Sequence, residues 1–277
     1  MRRIITILLL TILIIPAFAV FEGRFSDATS AALGDMPAEL GRDGASLFGQ
    51  YGYNAGFGYR LNLGHSDFSE PGFYAAWGKE NLGRLMLTFS DFSVGDLTHE
   101  TEVGLAITRD IFNDPHNVLK FSLRGDVYSL SYGKSQGGID LGSATAMGLT
   151  FGMEATLYER TRVGILAENL TATSMGDEGD IEIPRTVTGL IGYSPYTNTE
   201  MTAFARRDAG HDFEYSVAGY ARPIDFLSFR AGIMSNPSRF TGGIGIHYKG
   251  FEVGYGILTH PVLPVSHVFS VNFHMDN

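Results

Sequence analysis

The chain has 277 residues, no cysteine and a formal net charge of −10. The acidic balance, with no basic patch, excludes a phosphate-binding surface and hence a nucleic-acid partner. The missing cysteines exclude a disulfide framework and a bacterial lipid anchor.

The first predicted element is a secretory signal. "MRRIITILLLTILIIPAFA" pairs Arg2 and Arg3 with an apolar run over 4–15 and a small-residue end, so cleavage is expected after Ala19. That run is short for a spanning helix, which needs about 20 apolar residues. Removing 19 of 277 residues leaves 258, and the loss of two arginines moves the charge from −10 to −12. No linker or low-complexity tract divides the remainder. Residues 20–48 are read as a short N-terminal segment and 49–277 as one strand-built domain.

Glycine is abundant (35 residues) and aromatics reach 12%. From about residue 50, alternating stretches are separated by turn residues. Fourteen strands are predicted, over 51–63, 72–79, 83–92, 98–109, 118–132, 144–157 and 161–169, then 185–193, 199–207, 212–221, 227–234, 239–248, 251–258 and 267–275. Leu227, Phe229, Ala231 and Ile233 alternate with Ser228, Arg230 and Gly232, and most other stretches behave likewise. The phase along 118–132 slips near Gly125, which suggests a β-bulge there.

A soluble sandwich also alternates, but covers its second face with Lys, Glu and Thr, because glycine weakens a strand. Here that face mixes Gly and Ser with isolated charges of both signs. This suits the crowded polar interior of a membrane barrel, whose outside is an apolar band. The expected fold is therefore an all-β, transmembrane, antiparallel up-and-down barrel of about fourteen strands, with lipid against its greasy face. Tight connections at 80–82, 158–160, 222–225 and 249–250 alternate with longer ones at 133–143, 171–184 and 259–266. The connection at 236–238 is short on the other end. An open edge has no partner in lipid, so the sheet must close. Tyr53, Tyr59, Tyr74, Trp77, Tyr193, Tyr248 and Tyr255 are candidates for the interfacial girdles.

The same phase points twelve charges inward: Arg84, Lys120, Arg124, Asp126, Glu154, Arg162, Glu168, Arg206, Glu214, Arg230, Arg239 and Glu252. They could form a selectivity lining. Seven bases beside five acids favour an internally paired network, since charges removed from water need partners.

The motifs for chemistry are thin. His65, Ser66 and Asp67 are adjacent in "GHSDFS", whereas a triad needs side chains converging from different places. His267 with Ser270, and His247 with Glu252, are read as lumen hydrogen-bonding pairs. The eight histidines are scattered without ligand spacing. The acids of "GDEGD" at 176–180 read as a solvated loop. No motif implies a cofactor or a metal.

"SAALGDMPAELGRDGASLFG" at 30–49, "AENLTAT" at 167–173, "IPRTVTGLIGYSP" at 183–195 and the texture of 227–260 resemble the FadL-like barrels and their PorV/PorQ relatives. Ala31, Ala32, Leu33, Gly34, Asp43, Ala45 and Phe48 fit that family's N-terminal hatch-like segment. Its Asn-Pro-Ala-Gly is replaced by Gly49-Gln50-Tyr51-Gly52. The resemblance implies a fourteen-stranded bacterial outer-membrane barrel, without enzymatic activity, whose N-terminal segment lies inside or beneath it. The chain is short, about eighteen residues per strand and connection, which leaves little for a ligand-capturing vestibule. A PorV/PorQ-like role in secretion or surface assembly is therefore placed first, with secretion-system or cargo proteins as partners. A FadL-like channel for hydrophobic small molecules is the alternative, and an outer-membrane lipid hydrolase a distant third. Outer-membrane lipid is a partner in every case.

Overall fold

The computed structural model describes residues 21, 27–42, 45–133, 142–176, 181–209 and 211–276. Ala19, Asp43 and the acids of 177–180 lie outside the described residues. Half of the wall is β1 (Gly52–Leu61), β2 (Phe68–Lys79), β3 (Gly83–Val94), β4 (Thr98–Asn113), β5 (Asn117–Tyr132), β6 (Ser143–Leu157) and β7 (Thr161–Ala167). A small hairpin, β8 (Ser174–Met175) with β9 (Ile181–Glu182), then leaves the wall. The wall resumes with β10 (Thr186–Tyr193), β11 (Thr199–Asp208), β12 (Glu214–Ile224), β13 (Leu227–Met234), β14 (Arg239–Tyr248), β15 (Phe251–Leu258) and β16 (Ser266–Met275).

Each wall strand pairs antiparallel with its neighbours, β7 with β10 across the excursion. β16 pairs with β1, Tyr53 opposite Met275 and Leu61 opposite His267, so the fourteen-stranded sheet closes without an edge. All fourteen predicted strands are present, each end within four residues of its expected place. The largest shifts are at the start of β2 and the end of β4. Pro71 did not stop β2 from extending back to Phe68; its neighbour Gly72 still pairs with Ser90 of β3.

The alternation resolves into two faces. On β13, Phe229, Ala231 and Ile233 are exposed while Ser228, Arg230 and Gly232 are buried. Leu85, Leu105, Ile107, Ile191 and Val253 extend the exposed apolar face round the wall. A soluble monomer rarely exposes so continuous an apolar surface. A closed wall satisfies its own backbone and turns apolar side chains to lipid, which is the architecture of an outer-membrane β-barrel.

The short connections at 80–82, 114–116, 158–160, 194–198, 225–226 and 249–250 all gather at one end, with the start of β1 and the end of β16. Lys249 (φ 47°) and Gly250 (φ 82°) make the tightest of them, with the two positive φ angles that a two-residue hairpin turn favours. Asp114 accepts from the backbone N–H groups of His116 (2.8 Å) and Asn117 (2.7 Å) in another, which holds its carboxyl below the usual range. The opposite, loop end carries 133–142 and the excursion 168–185. Its shortest members are 95–97 and 235–238.

Two expectations are corrected. The phase does not slip at Gly125: β5 pairs without interruption with β6, and Ser122, Arg124, Asp126, Tyr128 and Leu130 all point inward. The apparent slip arises because the inward face itself turns apolar at Tyr128 and Leu130. Register shifts lie instead in β4, between Asp110 and Phe112, and in β12, between Ala221 and Ile224. Tyr74 is not a girdle residue. It is 1% exposed, because it has the parity opposite to Phe73 and Trp77, both of which face out.

Leu105 sits mid-wall between Leu87 and Gly125 and is 56% exposed. Leu105→Lys is expected to cost about 2 kcal/mol or more, the toll of a cation near the bilayer midplane. Urea unfolding in lipid vesicles, followed through the single tryptophan, measures it. A neutral result would mean that this face is not in lipid.

Candidate functional site

The described part of the N-terminal segment, 27–42 and 45–48, lies inside the lumen against the wall. Asp27 caps the short helix Ala28–Ala32, its carboxylate accepting from the Ser30 N–H at 2.7 Å. Every residue of that helix is buried. The helix lies against β13–β16. Its Ala28 N–H donates to Ser270 Oγ (3.2 Å), and Thr241 Oγ1 donates to Ala32 O (2.8 Å). The small residues of β14 and β15 make room for it. A Cβ on Gly243 would come 2.6 Å from Ala32 Cβ, and one on Gly256 would come 2.8 Å from Ala28 O. Glycine on this inward face therefore lets a second backbone rest on the wall.

Beyond the helix, the segment is held by polar contacts on several sides. Asp35 takes both terminal nitrogens of Arg60, at 2.9 and 3.2 Å. Glu39 accepts from Arg124 at 2.6 Å. The irregular stretch that follows has carbonyls with no ladder to join, and a buried carbonyl without a donor is costly. Wall side chains supply the donors. Arg162 donates to Leu40 O (2.5 Å), Arg84 to Ser46 O, Thr108 to Leu47 O (2.9 Å) and Lys120 to Phe48 O (3.0 Å).

Arg124 is the most crowded of these cations. Besides Glu39 it meets Glu102 (3.0 Å) and Asp126 (2.7 Å), and Asp126 also accepts from Thr150 Oγ1 at 2.8 Å. Arg162 bridges Glu154 (2.9 Å) and Glu200 (3.2 Å). Arg206 pairs with Glu214, which lies 3.8 Å from Arg239, and Arg230 pairs with Glu252. Glu168 is buried where the chain leaves β7, its N–H donating to Thr186 O at 2.8 Å. Ala31, Ala32, Leu33, Gly34 and Phe48 are all buried in the plug.

Sequence reasoning missed Asp35, Glu39, Arg60, Glu70, Glu100, Glu102 and Glu200. The strand phase could have found five of them, since Glu100 and Glu102 share parity with inward Ala106 and Thr108. Asp35 and Glu39 sit in a segment without a period and carried no signal. His267 and Ser270 do not meet: three residues apart on one strand, they take opposite faces. His267 turns outward to the Tyr255 hydroxyl (2.8 Å) and Ser270 turns inward to the plug. His247 and Glu252 are register partners, 4.0 Å apart. In 65–67 the imidazole lies 3.5 Å from Asp67 and accepts from its N–H, in an exposed loop. Among the described residues no group of three or more His, Asp or Glu is placed to hold a metal ion.

An apolar cluster and an open vestibule flank the plug. At the loop end, Phe21, Tyr128, Leu130, Ala146, Met175 and Ile183 form an apolar nest, with Phe21 edge-on to Tyr128 at 5.2 Å. Its Met175, in β8, and Ile183, just after β9, pack against Tyr128, Leu130 and Ala146 on the inward side of β5 and β6. At the turn end lies an open vestibule of about 580 Å³, lined in part by Leu33, Tyr74, Tyr220, His247, Glu252 and Asn272.

No protein-family model matches the chain, and no curated protein sequence matches it. Solved structures do. CymD, a monoaromatic hydrocarbon channel, is similar over 91% of this chain and 98% of its own, with a TM-score of 0.60 and 14% identity. The Pseudomonas putida toluene transporter TodX is similar over 91% and 99%, with a TM-score of 0.62 and 11% identity. A Pseudomonas aeruginosa FadL homologue is similar over 92% and 99%, with a TM-score of 0.55 and 10% identity. At these identities the likeness is one of fold.

Proposed function

We propose that this chain is a non-enzymatic outer-membrane channel for hydrophobic small molecules. The observation that carries the reading is the apolar nest at the loop end, which continues the apolar character of the lumen at Leu33, Leu40, Phe48, Leu166 and Phe204. A water-filled pore gains nothing from burying Phe21, Met175 and Ile183 together, whereas a site for an apolar solute needs such a lining. The likeness in fold to CymD and TodX, which are channels or transporters for aromatic hydrocarbons, supports the same choice.

This reverses the order suggested by sequence. Short loops argued against a capture vestibule, but Met175 and Ile183 turn inward and add apolar surface at the loop end, which loop length does not reveal. The decisive measurement is uptake of labelled toluene by cells expressing the protein. Expression is expected to raise uptake, and Met175→Asp to reduce it several-fold by placing a carboxylate in the nest. Unchanged uptake, with a stoichiometric protein partner retained after gentle extraction, would replace the channel with a secretion-accessory role.

A further inference from the structure

The turn-end vestibule contains a tier of polar side chains set by sheet register. Tyr74 of β2 and Asn272 of β16 both lie opposite Gly56 of β1, Asn272 lies opposite Glu252 of β15, and Glu252 lies opposite His247 of β14. The glycine matters here. A Cβ on Gly56 would come 2.3 Å from Asn272 Oδ1 and 2.4 Å from the Tyr74 ring. Without it, the Tyr74 hydroxyl reaches across the strand and donates to Asn272 Oδ1 at 3.2 Å.

That contact fixes the Asn272 amide with its oxygen occupied. The other end of the amide, Nδ2, is buried and has no hydrogen-bond partner, although the residue is only 6% exposed and lines the vestibule. The acceptors around it are engaged. Asn54 Oδ1 is bonded to His274 Nδ1 at 2.7 Å, and Glu252 Oε1 accepts from Arg230 and from Thr29 Oγ1. A buried donor left without an acceptor is costly, so the tier is poised for a ligand that supplies one.

The charges select the ligand further. Arg42 lies 3.3 Å from Glu200, Arg230 is paired with Glu252, and Arg222 donates to the Asp225 carbonyl. A carboxylate at the Asn272 amide would face Glu252, whose cation Arg230 is already engaged, while Lys249 and Arg222 sit with the turn residues and not in the tier. A pure hydrocarbon would leave the Asn272 N–H groups unsatisfied, and a site built around a polar group rejects ligands that lack its complement. Leu33, Tyr74 and Tyr220 offer the apolar surface for the rest of the molecule.

We propose that this tier binds a neutral small molecule with an oxygen acceptor on an apolar body, such as a phenol, an alcohol or a ketone. The Asn272 amide donates to its oxygen, and a hydroxyl on it donates in turn towards Glu252 or His247. As a statement about cargo, this rests on the channel reading and narrows it from hydrophobic molecules to oxygen-bearing ones. As a statement about binding, it stands on the vestibule alone.

Calorimetric titration of the refolded mature protein in one detergent tests it, with para-cresol, toluene and para-toluate as probes. Para-cresol is expected to bind about tenfold more tightly than toluene, the worth of one or two buried hydrogen bonds, and para-toluate least of all. Asn272→Leu is expected to bring para-cresol and toluene level. Tyr74→Phe, which frees the amide to swing, is expected to shrink the preference to a few-fold, and it decides the matter if Asn272→Leu does not fold. Partition into micelles is common to all variants and cancels between them. Equal binding of para-cresol and toluene, tightest binding of para-toluate, or a preference untouched by the variants would overturn the proposal. Toluene uptake without a binding preference removes this site and leaves the channel; a binding preference without uptake removes the channel and leaves the site.

Discussion

Arg124→Met is expected to cost the barrel about 3–5 kcal/mol, the typical penalty for removing one partner from a buried ionic cluster. The guanidinium is 3% exposed and faces Glu39 of the plug, Glu102 of β4 and Asp126 of its own strand, which are 5%, 12% and 0% exposed. Without it, three carboxylates are left in a poorly solvated space with few nearby donors. Each must then take up a proton or draw in water, and both cost stability. Urea unfolding in vesicles, read from Trp77 fluorescence, gives the difference. Adding Glu39→Gln and Glu102→Gln to the same chain should restore much of the loss, because it is the stranded charge that destabilises. A loss below about 1 kcal/mol would show that the cluster is solvated and that Arg124 serves as an ordinary surface ion pair does.

The paired substitution Gly243→Leu with Gly256→Leu is expected to drive the plug off the wall and open a conducting path. The two glycines are direct register partners, so together they form one flat patch beneath the helix Ala28–Ala32. The obstacles to a side chain there are Ala32 Cβ and the Ala28 carbonyl of the plug and the Tyr255 carbonyl of the wall, none of which can swing aside. Overpacking costs about 1–3 kcal/mol per site, and a five-residue helix held by a few hydrogen bonds has little with which to resist. The wall should survive, since β14 and β15 remain laddered over eight residue pairs. Single-channel recording in planar bilayers is expected to show a several-fold rise in conductance over the parent protein. Gly189→Leu is the control, because nothing lies within 4 Å of a Cβ at that outward position. Equal conductance in all three proteins would mean that the plug does not obstruct the lumen.

Both experiments address the segment that sequence read least well. The fourteen strands, their order and the outward direction of the apolar face were legible because each rests on a pattern two residues long. Leu85, Leu87 and Phe89 against Arg84, Met86 and Thr88 is enough to place a strand and choose its faces. The errors came where that pattern was overlaid by something else. Tyr74 was assigned by residue type rather than by parity, and Tyr128 with Leu130 made an unbroken strand look broken. His267 and Ser270 were paired although an odd spacing puts them on opposite faces.

The chain's own residues thus determined a closed, lipid-facing barrel, because side-chain alternation and turn chemistry act between near neighbours and survive in any context. They did not determine what fills it. Arg60 meets Asp35 across 25 positions, Arg124 meets Glu39 across 85 and Ser270 meets Ala28 across 242. No periodicity links such pairs, and the plug has none of its own. Only closure of the sheet brings β16 beside β1 and folds a non-repeating segment against inward glycines and cations. The tertiary structure therefore decided why the inner face is small, which charges meet, and where a buried donor is left facing open space.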